Sequence, residues 1–171
     1  MIGVFGSAFN PPTLGHDDAI KQALDKLDKV ILVPSALHPW GKKMVDFNLR
    51  ITMLQTYVET AFPCGRVQVS DIERTLAQTG QPVFTWQLMA SLDALYPNEK
   101  LIFLCGPDVE QDWDKFQKAA YIRETWGVMS VSERRTIRST LVRKNIETGN
   151  PIKGLVAPAV EAFILSNHLY R

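Results

Sequence analysis

Five short apolar runs punctuate this 171-residue chain: MIGVFG at its start, KVILVP at Lys29–Pro34, RVQVSD at Arg66–Asp71, KLIFLC at Lys100–Cys105 and WGVMSV at Trp126–Val131. Each is too short for an ordinary helix and most are apolar at consecutive positions, as strands covered on both faces require. The segments between them carry helical spacing instead. Thr13–Leu27 brings Leu14, Ala19, Ala23, Leu24 and Leu27 to one face, and Asp46–Ala61 does the same with Leu49, Met53, Leu54 and Val58. Thr85–Leu95 adds Leu88, Leu92 and Leu95, with Thr85 placed to cap the helix. Strands alternating with helices close as a parallel sheet with right-handed crossovers.

The expected fold is therefore α/β: a doubly wound, Rossmann-like, five-stranded parallel sheet with helices on both faces. In such sheets ligands bind beyond the carboxyl ends of the strands, where strand order reverses. The tail differs, because RRTIRSTLVRKNIETG and APAVEAFILSNHLY read as two helices parted by Gly149, Asn150 and Pro151 with no strand between them. That predicts a C-terminal helical segment over about residues 136–171, within one domain spanning 1–171.

Charge narrows the ligand. With 19 Lys and Arg against 18 Asp and Glu the net charge is +1, so nothing draws the whole chain to nucleic acid or to an anionic membrane. An anionic small molecule held by local features fits better. Cys64 and Cys105 are far apart with no paired motif, which argues against a disulfide framework or a zinc site and for two buried thiols. No apolar stretch approaches the roughly 18 residues of a membrane span, and the start lacks the basic region of a signal peptide. A cytoplasmic protein is the expectation.

The chemistry concentrates in GSAFNPPTLGH, Gly6–His16, just after the first strand. In a helix beginning near Pro12, Thr13 and His16 share the first turn and face one target. Unpaired amides and the positive end of the helix dipole make that turn a seat for phosphate. Gly6 and Ser7 let the backbone come close to a ligand, and Gly15 leaves room for a nucleotide against the helix. From the residue types alone, such a stretch is more often an ordinary helix start with a surface or capping histidine. No Walker lysine loop, GxGxxG fingerprint or GxSxG elbow is present.

GSAFNPPTLGH resembles the (H/T)xGH signature of the nucleotidyltransferase superfamily, and the order that follows resembles bacterial nicotinate-nucleotide adenylyltransferases along nearly the whole chain. VPSALHPWGKK is similar to that family's V-P-S strand and lysine-ended loop, and NLRITML to its R-x-x-M-L helix. SDIE and GQPVFTWQLMASL resemble its D-x-E and threonine-bearing stretches, and FLCGPD its G-x-D. IRSTLVRKNIETG is similar to its I-S-S-T-x-I-R signature, and GLVAPAVEAFILSNHLY to its C-terminal L-V-P segment.

The resemblance implies transfer of AMP from ATP to nicotinate mononucleotide with release of pyrophosphate, a step in NAD biosynthesis. It implies His16, Thr13 and Lys42 as the catalytic group. ATP would be held by Gly6, Ser7, Phe9, His16, Gly106, Asp108, Ser139, Thr140 and Arg143. Asn10, Lys42, Arg50, Thr85 and Phe116 would hold the acceptor mononucleotide. Magnesium would arrive on the ATP phosphates, with no protein metal site, since no acidic cage is visible. ATP and nicotinate mononucleotide are the expected partners, and self-association is left open.

This chain departs from the pattern in three places. Only SERRT separates WGVMSV from IRST, Arg138 replaces the first serine of I-S-S-T, and Phe116 stands where the family usually has tryptophan. The readings kept beside the leading one are adenylyl transfer to nicotinamide mononucleotide or another phosphate acceptor, a nucleotide sensor without turnover, and, with the least support, an RNA-binding module.

Overall fold

The computed structural model describes residues 1–38 and 40–171. The chain runs β1 (Ile2–Ser7), α1 (Leu14–Leu24), β2 (Lys29–Pro34), α2 (Phe47–Ala61), β3 (Val67–Val69) and α3 (Glu73–Leu76). It continues with α4 (Thr85–Leu95), β4 (Leu101–Cys105), α5 (Pro107–Gln111), α6 (Ala119–Thr125), β5 (Val128–Ser130), α7 (Ser139–Glu147) and α8 (Pro158–Ser166). All strand pairings are parallel and the order is β3-β2-β1-β4-β5. The expected doubly wound, five-stranded sheet is therefore present, with the order reversing between β1 and β4.

Strand periodicity divides the core into two layers. Val4 lies beside Ile31 and Phe103, and these three belong to a cluster with Leu88, Met89, Leu92 and Ile122 from α4 and α6. The alternate positions Val30, Leu32 and Leu104 face Ile20 and Ala23 of α1, Met53 and Leu54 of α2, Val142 of α7 and Val160 and Ile164 of α8. The C-terminal helices thus complete the layer begun by α1 and α2. Continuous burial in β2 reflects cover on both faces, while β3 and β5, at the sheet edges, are three residues each and partly open.

Several local expectations are corrected. Thr13 is not helical: it caps α1 in an extended conformation, its hydroxyl accepting from the amides of Gly15 and His16. Phe84, not Thr85, caps α4, because the Gln87 side chain takes the Phe84 N–H and Thr85 becomes the first helical residue. Leu95 is 63% exposed at the end of α4, and Ile20, Ile51 and Tyr57 carry core burial that the stripe assignment missed. Cys64 is exposed in the turn after α2, so only Cys105 is a buried thiol. No described helix is long and apolar enough to cross a membrane.

The loop after β1 is lashed down from several directions. Tyr57 in α2 donates to Asp17 in α1, tying those two helices beneath it. The Arg50 guanidinium, 1% exposed, donates to the carbonyls of Ala8, Ser35 and Val45. From the C-terminal layer, Ser139 donates to Pro11 O, Arg143 to Asn10 O, Tyr170 to Asn10 Oδ1, and the Thr13 hydroxyl to Ile137 O.

That last contact explains Gly15. A Cβ there would lie 2.5 Å from the Ile137 carbonyl oxygen. The missing side chain makes room for the crossing backbone of residues 135–137 rather than first of all for a nucleotide. Gly15→Ala is expected to cost about 1–3 kcal/mol through overpacking, read as a lowered denaturation midpoint; a midpoint equal to wild type would contradict this tight crossing.

Candidate active site

Two open cavities lie at the carboxyl edge of the sheet. The first, about 340 Å³, is lined by residues from β1, α1, the β4–α5 turn and the 131–139 segment, and holds Ser7, Thr13, His16, Gly106, Asp108 and Ser139. The second, about 630 Å³, lies beyond the loop that follows β2 and includes His38, Lys42, Asp46 and Arg50. Both volumes fall in the range of small-ligand clefts.

His16 is the best-determined group in the first cavity. Its ring is half-buried, 4.9 Å from the Phe9 ring and 6.0 Å from that of Phe5. Phe9 is 1% exposed and its backbone has a left-handed φ of 46°, which seats this bulky side chain against the imidazole. The Thr13 backbone N–H donates to His16 Nδ1 at 3.0 Å. An amide can only donate, so Nδ1 carries no proton and the hydrogen bonds assign the neutral tautomer with its proton on Nε2. The Thr13 hydroxyl gives its one proton to Ile137 O, so its 3.1 Å approach to Nδ1 is not a competing donation. Nε2 is 3.2 Å from Ser7 Oγ, at the cavity wall. Burial lowers the His16 pKa to about 4. The ring is therefore a fixed, uncharged donor at neutral pH, a suitable partner for oxygen that gains charge during reaction.

Gly106 caps α5 and Asp108 is its second helical residue. Asp108 pairs with Arg138 across the cavity mouth. Ser139 reaches the cavity, although its hydroxyl is committed to Pro11 O. Arg143 and Thr140 line neither cavity; Arg143 braces the Asn10 carbonyl, a different task from the expected grip on phosphate. Phe9 and Gly6 likewise line neither cavity: Phe9 packs against the His16 ring, and Gly6 lies on the strand below Ser7.

The expected acceptor residues divide. Lys42 and Arg50 share the second cavity, so Lys42 does not share a cavity with His16. Arg50 is a buried strut between three carbonyls rather than an open phosphate ligand. Asn10 is 4% exposed, its Oδ1 accepting from the Val45 amide and the Tyr170 hydroxyl. Thr85 and Phe116 line neither cavity, and Phe116 stacks on Trp113 with ring centroids 4.9 Å apart.

Other site residues were not singled out from the sequence. His38 lines the second cavity, and burial first, then the charges of Lys42 and Arg143, hold its pKa below the ordinary histidine value. Glu73, 6% exposed, accepts from the Ala36 amide at its rim, and burial raises its pKa to about 7. The basic run gave a signal for the first cavity, since Arg134, Arg135 and Arg138 all reach its mouth. Arg134 is held by Asp18, whereas the Arg135 guanidinium has no protein partner among the described residues. Cys105 ends β4 as a buried thiol, its pKa pushed up by burial to about 11, which does not suit it to nucleophilic work.

Residues 4–145 match the family model described as cytidylyltransferase-like. A Lactiplantibacillus plantarum protein described as a nicotinate-nucleotide adenylyltransferase is 28% identical, over 99% of this chain and 87% of its own. A crystal structure of a Vibrio parahaemolyticus protein so described is 35% identical, with a TM-score of 0.84 over 96% of this chain and 97% of that one. A Plasmodium falciparum nicotinic acid mononucleotide adenylyltransferase complexed with NaAD shares the fold, with a TM-score of 0.77 at 17% identity over 99% and 96% of the two chains. The site built around His16 thus stands on the fold of these proteins, and the chain belongs to the cytidylyltransferase-like family, among its nicotinate-nucleotide adenylyltransferases, as an enzyme of the nucleotidyltransferase class.

Proposed function

We propose that this chain joins AMP from ATP to nicotinate mononucleotide, and that the first cavity takes ATP while the acceptor's phosphate approaches from the second. The observation that carries the reading is the His16 tautomer, a neutral Nε2–H held at the cavity wall by the Thr13 amide. An oxygen of the acceptor phosphate attacks the α-phosphorus of ATP. The new P–O bond forms as the bond to the leaving pyrophosphate breaks. The acceptor phosphate is already ionised near neutral pH, so no general base is needed, and catalysis rests on positioning and on stabilising charge.

His16 donates to an oxygen on the reacting phosphates, and Thr13 fixes its ring. Ser7 forms the wall beside it, Gly6 lies on the strand below, and Phe9 packs against the ring. Asp108 meets the ribose hydroxyls, and Gly106 leaves open space there, since a Cβ at that position would meet nothing within 4 Å. Ser139 and Thr140 present the first amides of α7 to the phosphates, while Arg143 acts through the Asn10 carbonyl that it braces. On the acceptor side, Lys42 supplies positive charge in a cavity where burial, and after it Lys42 and Arg143, hold the His38 pKa down. Arg50 and Asn10 act as positioning residues for the loops around it, and Thr85 and Phe116 lie on the side of the acceptor base.

A divalent cation, magnesium, would travel on the triphosphate. The described residues include no group of three or more His, Cys, Asp or Glu side chains placed to hold a metal.

Incubation with ATP, Mg²⁺ and a panel of mononucleotides should release pyrophosphate and form a dinucleotide fastest with nicotinate mononucleotide. Faster reaction with nicotinamide mononucleotide would overturn the acceptor assignment, and binding without any product would favour a sensor. His16→Ala should lower kcat on the order of 10²-fold with the fold intact, the scale for losing one preorganised donor; unchanged turnover would remove His16 from the chemistry. His16 also marks the pH dependence of stability. Its folded pKa of about 4 lies below the ordinary histidine value of 6.5, so the unfolded chain binds a proton that the folded chain refuses in that interval. This contribution falls as pH drops from 6.5 towards 4 and is flat above. Urea midpoints should therefore fall more steeply over that range for wild type than for His16→Gln, and parallel slopes would contradict the lowered value.

A further inference from the structure

Arg138 is where the chain departs from I-S-S-T, and the structure gives it a defined arrangement. It caps α7 from an extended conformation without a side-chain capping bond, and its guanidinium turns to the mouth of the first cavity. Nη1 lies 2.7 Å from Asp108 Oδ2, and Nε and Nη2 lie 3.2 and 3.0 Å from Glu133 Oε1. All three residues line the cavity that holds His16. Two carboxylates thus occupy the planar donor fork that also suits phosphate oxygens.

Three observations say what this clasp is for. Arg143, the guanidinium first expected to grip phosphate, is committed to the Asn10 carbonyl and Arg134 to Asp18, which leaves Arg138 and Arg135, unpartnered among the described residues, at the cavity mouth, and of these two Arg138 stands at the start of α7. The Arg138 and Asp108 side chains are 58% and 66% exposed, so their pairing is weak enough to exchange for a stronger anion. Asp108 is also the residue read as meeting the ribose, and Arg138 holds one of its two carboxylate oxygens, Oδ2.

We propose that Arg138 grips the β and γ phosphates of the entering triphosphate, and that the Asp108–Arg138–Glu133 clasp is its resting arrangement before nucleotide binds. The proposal rests on the reading that this cavity takes ATP. On entry the guanidinium moves from carboxylate to phosphate, and Asp108 is released to the ribose in the same exchange. Arg138 thereby reads the length of the phosphate chain, and Glu133 competes with the nucleotide for it.

Titration calorimetry with a non-hydrolysable ATP analogue and with AMP, on wild type, Arg138→Ala and Glu133→Gln, tests this without turnover. Arg138→Ala should bind the analogue about tenfold more weakly or worse, the scale of a lost charge-assisted contact. Its AMP affinity should be unchanged or slightly tighter, because Asp108 is freed. Glu133→Gln, which keeps Arg138, should bind the analogue about two- to fivefold more tightly, as befits loss of an exposed competing pair. Equal losses for both nucleotides in Arg138→Ala, no loss for the analogue, or no tightening in Glu133→Gln would overturn the proposal. Wild-type protein that shows this selectivity yet forms no dinucleotide would support the clasp and contradict the transfer reading.

Discussion

The Thr13 amide donating to His16 Nδ1 is the contact on which the site depends. Without it the imidazole has no reason to keep its proton on Nε2, the nitrogen beside Ser7 at the cavity wall. Much of the surrounding fold serves to keep that amide in place. Phe9 packs on the ring, the Thr13 hydroxyl is anchored on Ile137 O, and Ser139 and Arg143 hold the Pro11 and Asn10 carbonyls. The C-terminal helices are thus part of the site through the backbone they restrain, although α8 contributes no lining residue to either cavity.

The sheet topology places the two cavities on either side of that loop. Strand order reverses between β1 and β4, so the exits of β1, β4 and β5 frame the first cavity while the loop after β2 frames the second. The local fields suit anions in both. Arginines line the first mouth, and Lys42 places positive charge in the second. With a net charge of +1 overall, this attraction is local, which suits a pair of small phosphorylated ligands better than a polymer.

The architecture was legible because consecutive apolar positions in β2 and β4 and helical stripes in α2 and α4 are consequences of burial itself. The bounds of β2 were readable to the residue and the start of α4 to within one, whereas the edge strands β3 and β5 are shorter than their apolar runs, since pairing on one side supports fewer residues. The loop with Thr13 and His16 was legible as a phosphate seat from its spacing. Long-range geometry was not: that Gly15 makes room for Ile137, that Arg50 faces inward to three carbonyls, and that Lys42 opens to a separate cavity depend on contacts tens of residues apart. Glu73 carried no local sign that its carboxylate would be buried against the Ala36 amide, because that contact depends on how α3 meets the loop after β2.

The central claim is that His16 is a neutral donor through Nε2 at neutral pH. Nitrogen-15 NMR of the imidazoles between pH 5 and 8 addresses it directly, and comparison with His16→Gln separates this ring from His38 and His168. The account predicts an unprotonated Nδ1, a protonated Nε2 and no titration of this ring across the range. A proton on Nδ1, or a titration near the ordinary histidine value, would contradict it.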